Sequence, residues 1–193
     1  MGRRYRWFMH SLKRFIMLGL LVWGAFYVKN LFWVSYDAAI QSRAESEIMP
    51  QIQQVDAASV EAFLKQGNVH TLVVIYSSDS ALSRWYFGDL NAIAERYAPA
   101  GVRPLFISVD ADPVPLSHFL ASRDKLAFTP LYMQPVEAAK MRSVIGRVGG
   151  DFNSGTLPYM GVIGSSGYVT NFSPAIVRTG KIEQVLDQNL KGG

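Results

Sequence analysis

Residues 71–85 read TLVVIYSSDSALSRW. Thr71 to Tyr76 is an unbroken apolar run rich in β-branched residues, the pattern of a strand covered on both faces. Four small polar residues follow: Ser77, Ser78, Asp79 and Ser80. The spacing then becomes helical to about Tyr97, with Trp85, Leu90, Ile93 and Ala94 as the expected core stripe. Ser80 is placed to cap this helix and Ser83 to lie in its first turn. A buried strand leading into an amphipathic helix is half of a crossover unit, so the stretch predicts an α/β domain.

Outward from it the alternation continues. Upstream, Asp56 can cap a short helix through about Lys65, closed by Gly67 and Asn68. Downstream, Ala98-Pro99-Ala100-Gly101 stops the long helix, and Pro104 to Val109 is a second buried strand. Asp110 to Pro113 reads as a turn, and Pro115 to Arg123 as a short helix with Leu116, Phe119 and Leu120 inward. A third strand is expected over Phe128–Met133 and a helix over Val136–Val148, ending at Gly149-Gly150. Tyr159–Ile163 and Tyr168–Phe172 are short strands joined by Gly164-Ser165-Ser166-Gly167, a hairpin signal. An amphipathic helix over Gly180–Leu190 closes the domain.

Hydrophobic residues make up 49% of the chain, high enough to suggest a localised apolar block. It lies at Phe15–Tyr36, FIMLGLLVWGAFYVKNLFWVSY. A span needs roughly 20 mostly apolar residues to cross a hydrocarbon core about 30 Å thick. The uninterrupted part, Phe15–Val28, would alone suit the apolar region of a signal peptide. Three features favour a full span. The apolar run resumes at Leu31–Val34, Lys29 can snorkel to the interface, and Trp23, Tyr27, Trp33 and Tyr36 are interfacial aromatics. Gly19 and Gly24 would allow close approach of another helix, although their spacing is not GxxxG. The expected organisation is a basic tail at 1–14, a transmembrane signal anchor at 15–36, a helical stalk at 37–55 broken near Pro50, and the folded domain at 56–193.

Arg3, Arg4, Arg6, Lys13 and Arg14 precede the span, with no acid among them. The positive-inside rule then keeps the N-terminus in the cytoplasm and puts the domain on the far side. Of a net charge of +4, these five cations leave about −1 for the remainder, which argues against nucleic acid as a partner. The chain has no cysteine, which excludes disulfides, thiolate metal sites and cysteine-based redox chemistry. The expected partner of 15–36 is the lipid bilayer.

The order of elements resembles the thioredoxin-like superfamily. Three landmarks carry the resemblance: the junction VVIYSSDSALSR (73–84), the strand-Asp-turn-helix FISVDADPVPLSHFLASR (106–123), and Thr156-Leu157-Pro158 before an apolar strand and hairpin. The first matches the place where the family carries Cys-x-x-Cys. The second resembles membrane-anchored thiol–disulfide oxidoreductases and peroxiredoxin-like domains. The third resembles the cis-proline loop that faces the cysteine pair. The resemblance covers about Asp56 to Leu190 and implies a thioredoxin-like domain behind one N-terminal transmembrane helix.

The departures bear on function. Both family cysteines are serines here, Ser80 and Ser83, and the position of the family's buried acid is Val74. An alcohol ionises far above physiological pH and forms no disulfide. A serine nucleophile would need a base, and neither His70 nor His118 is placed beside Ser80 by sequence. No metal-ligand spacing appears, and Asp110 and Asp112 read as turn residues. Arg147, Gly149, Gly150 and Gly155 lack the strand-loop-helix context of a phosphate loop. No catalytic residue, metal or cofactor is therefore assigned.

The groove implied by the resemblance remains: Ser80, Ala81, Leu82, Ser83 and Trp85, with Thr156, Leu157 and Pro158 able to receive an extended peptide. The expected function is a redox-inactive docking subunit or assembly factor of an envelope complex, in secretion, conjugation or biogenesis machinery. Its expected setting is a bacterial-type inner membrane, with the domain in the periplasm. The alternative is an enzyme that works with glutathione or a partner's thiols and has no cysteine of its own.

Overall fold

The computed structural model describes residues 2–66, 69–123, 125–152, 156–164, 166–172 and 178–192, with side chains from Met17 onward. The chain divides into two compact units, one ending at Ser42 and the other beginning at Arg43.

The first unit is helical. Helix α1 covers Gly2–Arg43, 42 residues without a break, so the expected tail, span and first part of the stalk are one element. At 1.5 Å per residue it is about 60 Å long, roughly twice a hydrocarbon core. From Met17 it is long and apolar enough to cross a membrane. Its leucines, valines and aromatics are exposed all round, and Trp23 stacks on Tyr27. Open space surrounds Gly19 and Gly24.

The second unit begins earlier than 56, the expected boundary. A π-helical turn, Ala44–Ile48, and a 3-10 turn, Met49–Gln51, follow α1. Ala44 and Ile48 are buried, and the π-helical turn packs on helix α4, Pro113–Ala121. The Arg43 guanidinium donates to the carbonyls of Ala121 (2.9 Å) and Arg123 (2.6 Å). Those carbonyls end α4, where a cation complements the helix dipole. The expected stalk therefore ceases to be a spacer at Arg43, because its apolar residues find a buried face there.

A strand missed in the sequence comes next, β1, Gln53–Val55. Three residues, two of them glutamine, carry too little periodicity to register. Asp56 then caps helix α2, Ala57–Leu64, accepting from the Ser59 amide at 2.8 Å. The expected closing residues Gly67 and Asn68 lie outside the described residues.

Strand β2, Thr71–Tyr76, is buried along its whole length. Helix α3, Ala81–Tyr97, follows it, then β3, Arg103–Ser108, and α4. The third expected strand is shorter than read: β4 is Leu131–Met133. The expected helix at 136–148 is two short ones, α5 (Pro135–Ala138) and α6 (Met141–Arg147). Glu137, at the break, accepts from the Ala57 amide at 3.2 Å and pairs with Lys140. Strands β5, Tyr159–Ile163, and β6, Val169–Phe172, form the expected hairpin, and helix α7 is Gly180–Gly192.

The six described strands form one sheet in the order β1-β4-β3-β2-β5-β6. The first four are mutually parallel, and β5 and β6 run antiparallel to their neighbours. On one face Val73, Ile75, Leu105 and Ile107 pack with Val60 and Leu64 of α2 and Met141, Val144 and Ile145 of α6. On the other, Tyr76 and Phe106 meet Phe87 of α3, with Phe119 and Phe128 completing an aromatic cluster.

Two expectations about side chains change. Trp85 leaves the core stripe: it is 79% exposed, and Phe87, 2% exposed, takes the inward place. Gly149 has φ +79, as a helix stop requires, while Gly150 is a packing site. A Cβ on Gly150 would lie 2.8 Å from the Tyr159 hydroxyl and 2.9 Å from Val169. Arg147 forms an ion pair with Glu61 at 2.7 Å, so it serves the α2–α6 surface; Gly155 lies outside the described residues.

Candidate functional site

The register Tyr76↔Ser108 makes β2 and β3 end level. The loops that follow, 77–80 and 109–112, therefore leave the same end of the sheet side by side, and the Val109 amide bonds to the Tyr76 carbonyl at 2.9 Å. Asp110 is buried between them, 3% exposed. Its Oδ1 accepts from Ser77 Oγ (2.6 Å), the Ser78 amide (2.8 Å) and Ser78 Oγ (3.1 Å). Its Oδ2 accepts from Ser108 Oγ at 2.6 Å. One carboxylate thus satisfies the donors of a loop that turns away from the sheet. Sequence reading missed this and gave Asp110 to turn chemistry. The available signal was that two buried strands of equal length place the residues just after them together.

On this support, the Ser80 hydroxyl accepts from the Ser83 amide at 3.2 Å and caps α3. The same hydroxyl donates to the Leu157 carbonyl at 3.2 Å. The Leu157–Pro158 peptide is cis. Ser80 and the Thr156–Pro158 loop, expected to face each other, are brought together. Ser83 is not a surface residue, however. It is 1% exposed, and its Oγ accepts from the Ser77 amide at 3.4 Å. Pro158 is also buried. Neither is therefore displayed at the surface of the expected groove. Ala81 and Thr156 are exposed and Leu157 is half-buried. Leu82, 46% exposed, and Trp85 project from the first turns of α3.

Chemically, the contact between Ser80 and the Thr156–Pro158 loop is one of an alcohol with main-chain atoms. The Ser80 proton is directed at a carbonyl, which is not a base, and among the described residues no histidine bonds to Ser80. Nor does any group of three His, Asp or Glu among those residues converge as a metal site would.

Tyr76 lies next to the Asp110 hub. Burial, and secondarily the Asp110 carboxylate, push its phenol well above the ordinary tyrosine range. The hydroxyl is buried with no hydrogen-bond partner among the described residues. Tyr76→Phe is therefore expected to raise stability by about 1 kcal/mol, because it removes an unsatisfied polar group and keeps the ring. Thermal melts of the two proteins test this, and a loss of similar size would mean that the hydroxyl is bonded, for example to a buried water.

A parallel sheet ending in an antiparallel hairpin, with a cis-proline facing the N-terminus of the helix after the central strand, defines the thioredoxin-like fold. No family model matches the sequence, and no curated protein matches it. Solved structures agree with the fold. A thiol:disulfide interchange protein of the thioredoxin family from Chlorobium tepidum TLS superposes with a TM-score of 0.52 at 17% identity, over 67% of this chain and 84% of that one. A DsbF homologue from Corynebacterium diphtheriae gives 0.51 at 13% identity, over 63% and 73%. A secreted Mycobacterium tuberculosis disulfide oxidoreductase, homologous to Escherichia coli DsbE, gives 0.50 at 13%, over 66% and 85%. The expected thioredoxin-like resemblance holds for the fold, on a chain without cysteine.

Proposed function

We propose that this chain is a membrane-anchored, redox-inactive thioredoxin-like domain that docks another envelope protein, as a subunit or assembly factor of a membrane complex. The observation that carries the reading is what stands at the cysteine-pair position. Ser80 is tied to the Leu157 carbonyl and Ser83 is buried, while Leu82 and Trp85 stand exposed beside them. A large exposed aromatic next to an exposed aliphatic side chain, on a rigid helix, is the composition of an interface anchor. Two of the fold neighbours are disulfide-exchange proteins by name, and one of these is described as secreted. The apolar stretch of α1 and the five cations that precede it within the same helix support an anchor at 15–36, with the N-terminus cytoplasmic and the domain in the periplasm of a bacterial-type inner membrane.

The test is affinity capture of the full-length protein from its own membrane in detergent, beside Leu82→Asp. Leu82 is half-exposed, so the substitution leaves the core intact. A defined set of envelope proteins, lost with Leu82→Asp, is the expected result. Disulfide exchange or peroxide reduction by the purified protein, abolished by Ser80→Ala, would sink the reading and favour an enzyme.

A further inference from the structure

Helix α1 starts at Gly2, so residues 2–14 extend it by about 20 Å beyond the apolar block. We infer that these turns bind the headgroups of anionic phospholipids, with one side of the helix against the bilayer and five cations along the rest. The inference rests on the reading of 15–36 as a membrane anchor, and on none of the groove residues.

Helical periodicity sorts this segment into two faces. Tyr5, Phe8, Met9, Leu12, Phe15 and Ile16 recur at steps of three and four and fall within an arc of about 120°. The stripe runs straight into the apolar block, so the bilayer that covers the block can cover the stripe as well. Arg3, Arg4, Arg6, Lys13 and Arg14 fall on the remaining side, and Arg4, Arg6 and Lys13 border the stripe. A basic helix divided in this way sets its apolar face at the acyl boundary and its cations among the headgroups. An unbroken helix reaches that position by leaning toward its stripe, since interfacial residues set the tilt. Trp7 is the one large apolar residue among the cations, and an indole suits headgroup depth. Charge points the same way. The first acid in the chain is Asp37, so the segment and the span hold no carboxylate. Arg3 and Arg4 also stand in the first turn of α1, where the helix dipole disfavours a cation and no acid is present. Phosphate groups alongside relieve both, and a cluster of cations beside a span is attracted to an anionic leaflet.

The test uses the full-length protein in lipid nanodiscs made of phosphatidylcholine with phosphatidylglycerol. Spin-labelled phosphatidylglycerol is expected to associate with the protein about fivefold more tightly than spin-labelled phosphatidylcholine. Arg3→Gln, Arg4→Gln and Arg6→Gln combined should remove more than about half of that preference. Glutamine keeps the helix propensity, and Lys13 and Arg14 remain beside the span. Because the chain has no cysteine, single nitroxide labels can be attached through Leu12→Cys on the stripe and His10→Cys on the other side. The label replacing Leu12 should be reached by oxygen from the hydrocarbon, and the label replacing His10 by a water-soluble nickel chelate. Equal association of the two lipids, a preference unchanged in the combined variant, or the same accessibility at both labels would overturn the inference. Alkaline carbonate extraction of phosphatidylcholine vesicles reads the anchor separately. Release by carbonate would remove the anchor and the inference with it, whereas any of the three failures in a protein that carbonate does not release would overturn the inference alone.

Discussion

Asp110→Ala is expected to destabilise the domain by about 3 kcal/mol or more and to lower its melting temperature by about 10 °C. The substitution strands the hydroxyls of Ser77, Ser78 and Ser108 and the amide of Ser78, all of which now donate to the carboxylate. Four donors at one buried acceptor explain why the effect exceeds that of an ordinary polar substitution. Asp110→Asn keeps one acceptor oxygen and is expected to cost about half as much. Thermal melts, with hydrogen exchange at the Ser78 amide, separate global loss from local opening. A melting temperature within a degree or two of the parent would show that the loop holds its shape without the hub. If the loop does loosen, Ser80 loses its register with Leu157, and the docking face should weaken together with stability.

The second large effect lies two residues from a nearly silent one. Phe87→Ala should cost about 3–5 kcal/mol, through lost burial and the cavity left among Tyr76, Phe106, Phe119 and Phe128. Trp85→Ala should change stability by no more than about 0.5 kcal/mol, because most of its surface is already in water. Partner capture should show the reverse order, with Trp85→Ala losing on the order of 2 kcal/mol of binding at an unchanged melting temperature. Denaturant melts of the two variants decide the first comparison. A Trp85 variant as unstable as the Phe87 variant would place the tryptophan in the core.

Trp85 shows a signal that was in the sequence and was misread. Phe87 lies three residues before Leu90, a helical step, whereas Trp85 lies five before it, so the periodic pattern itself favours Phe87 as the inward residue. The packing of α3 against Tyr76 and Phe106 agrees with that pattern. The long buried strands, the caps at Asp56 and Ser80, and the hairpin were readable because each signal is local. The short pieces were not: β1, the trimmed β4 and the break between α5 and α6 depend on partners far along the chain. The site divides in the same way. Ser80 meeting the Thr156–Pro158 loop followed from the family resemblance. The burial of Ser83 and the role of Asp110 depend on how two strands align, which no local pattern encodes.

The outermost strands have a consequence for crowding. β1 is only three residues long, and its Gln53 and Gln54 are exposed. At the opposite border β6 has four residues, with Thr170 and Asn171 exposed. Borders so brief and polar give an identical neighbour little length along which to zip its own backbone. A protein confined to a plane meets its copies far more often than one free in solution. For a chain anchored as proposed, truncated hydrophilic borders would let such a population stay dispersed.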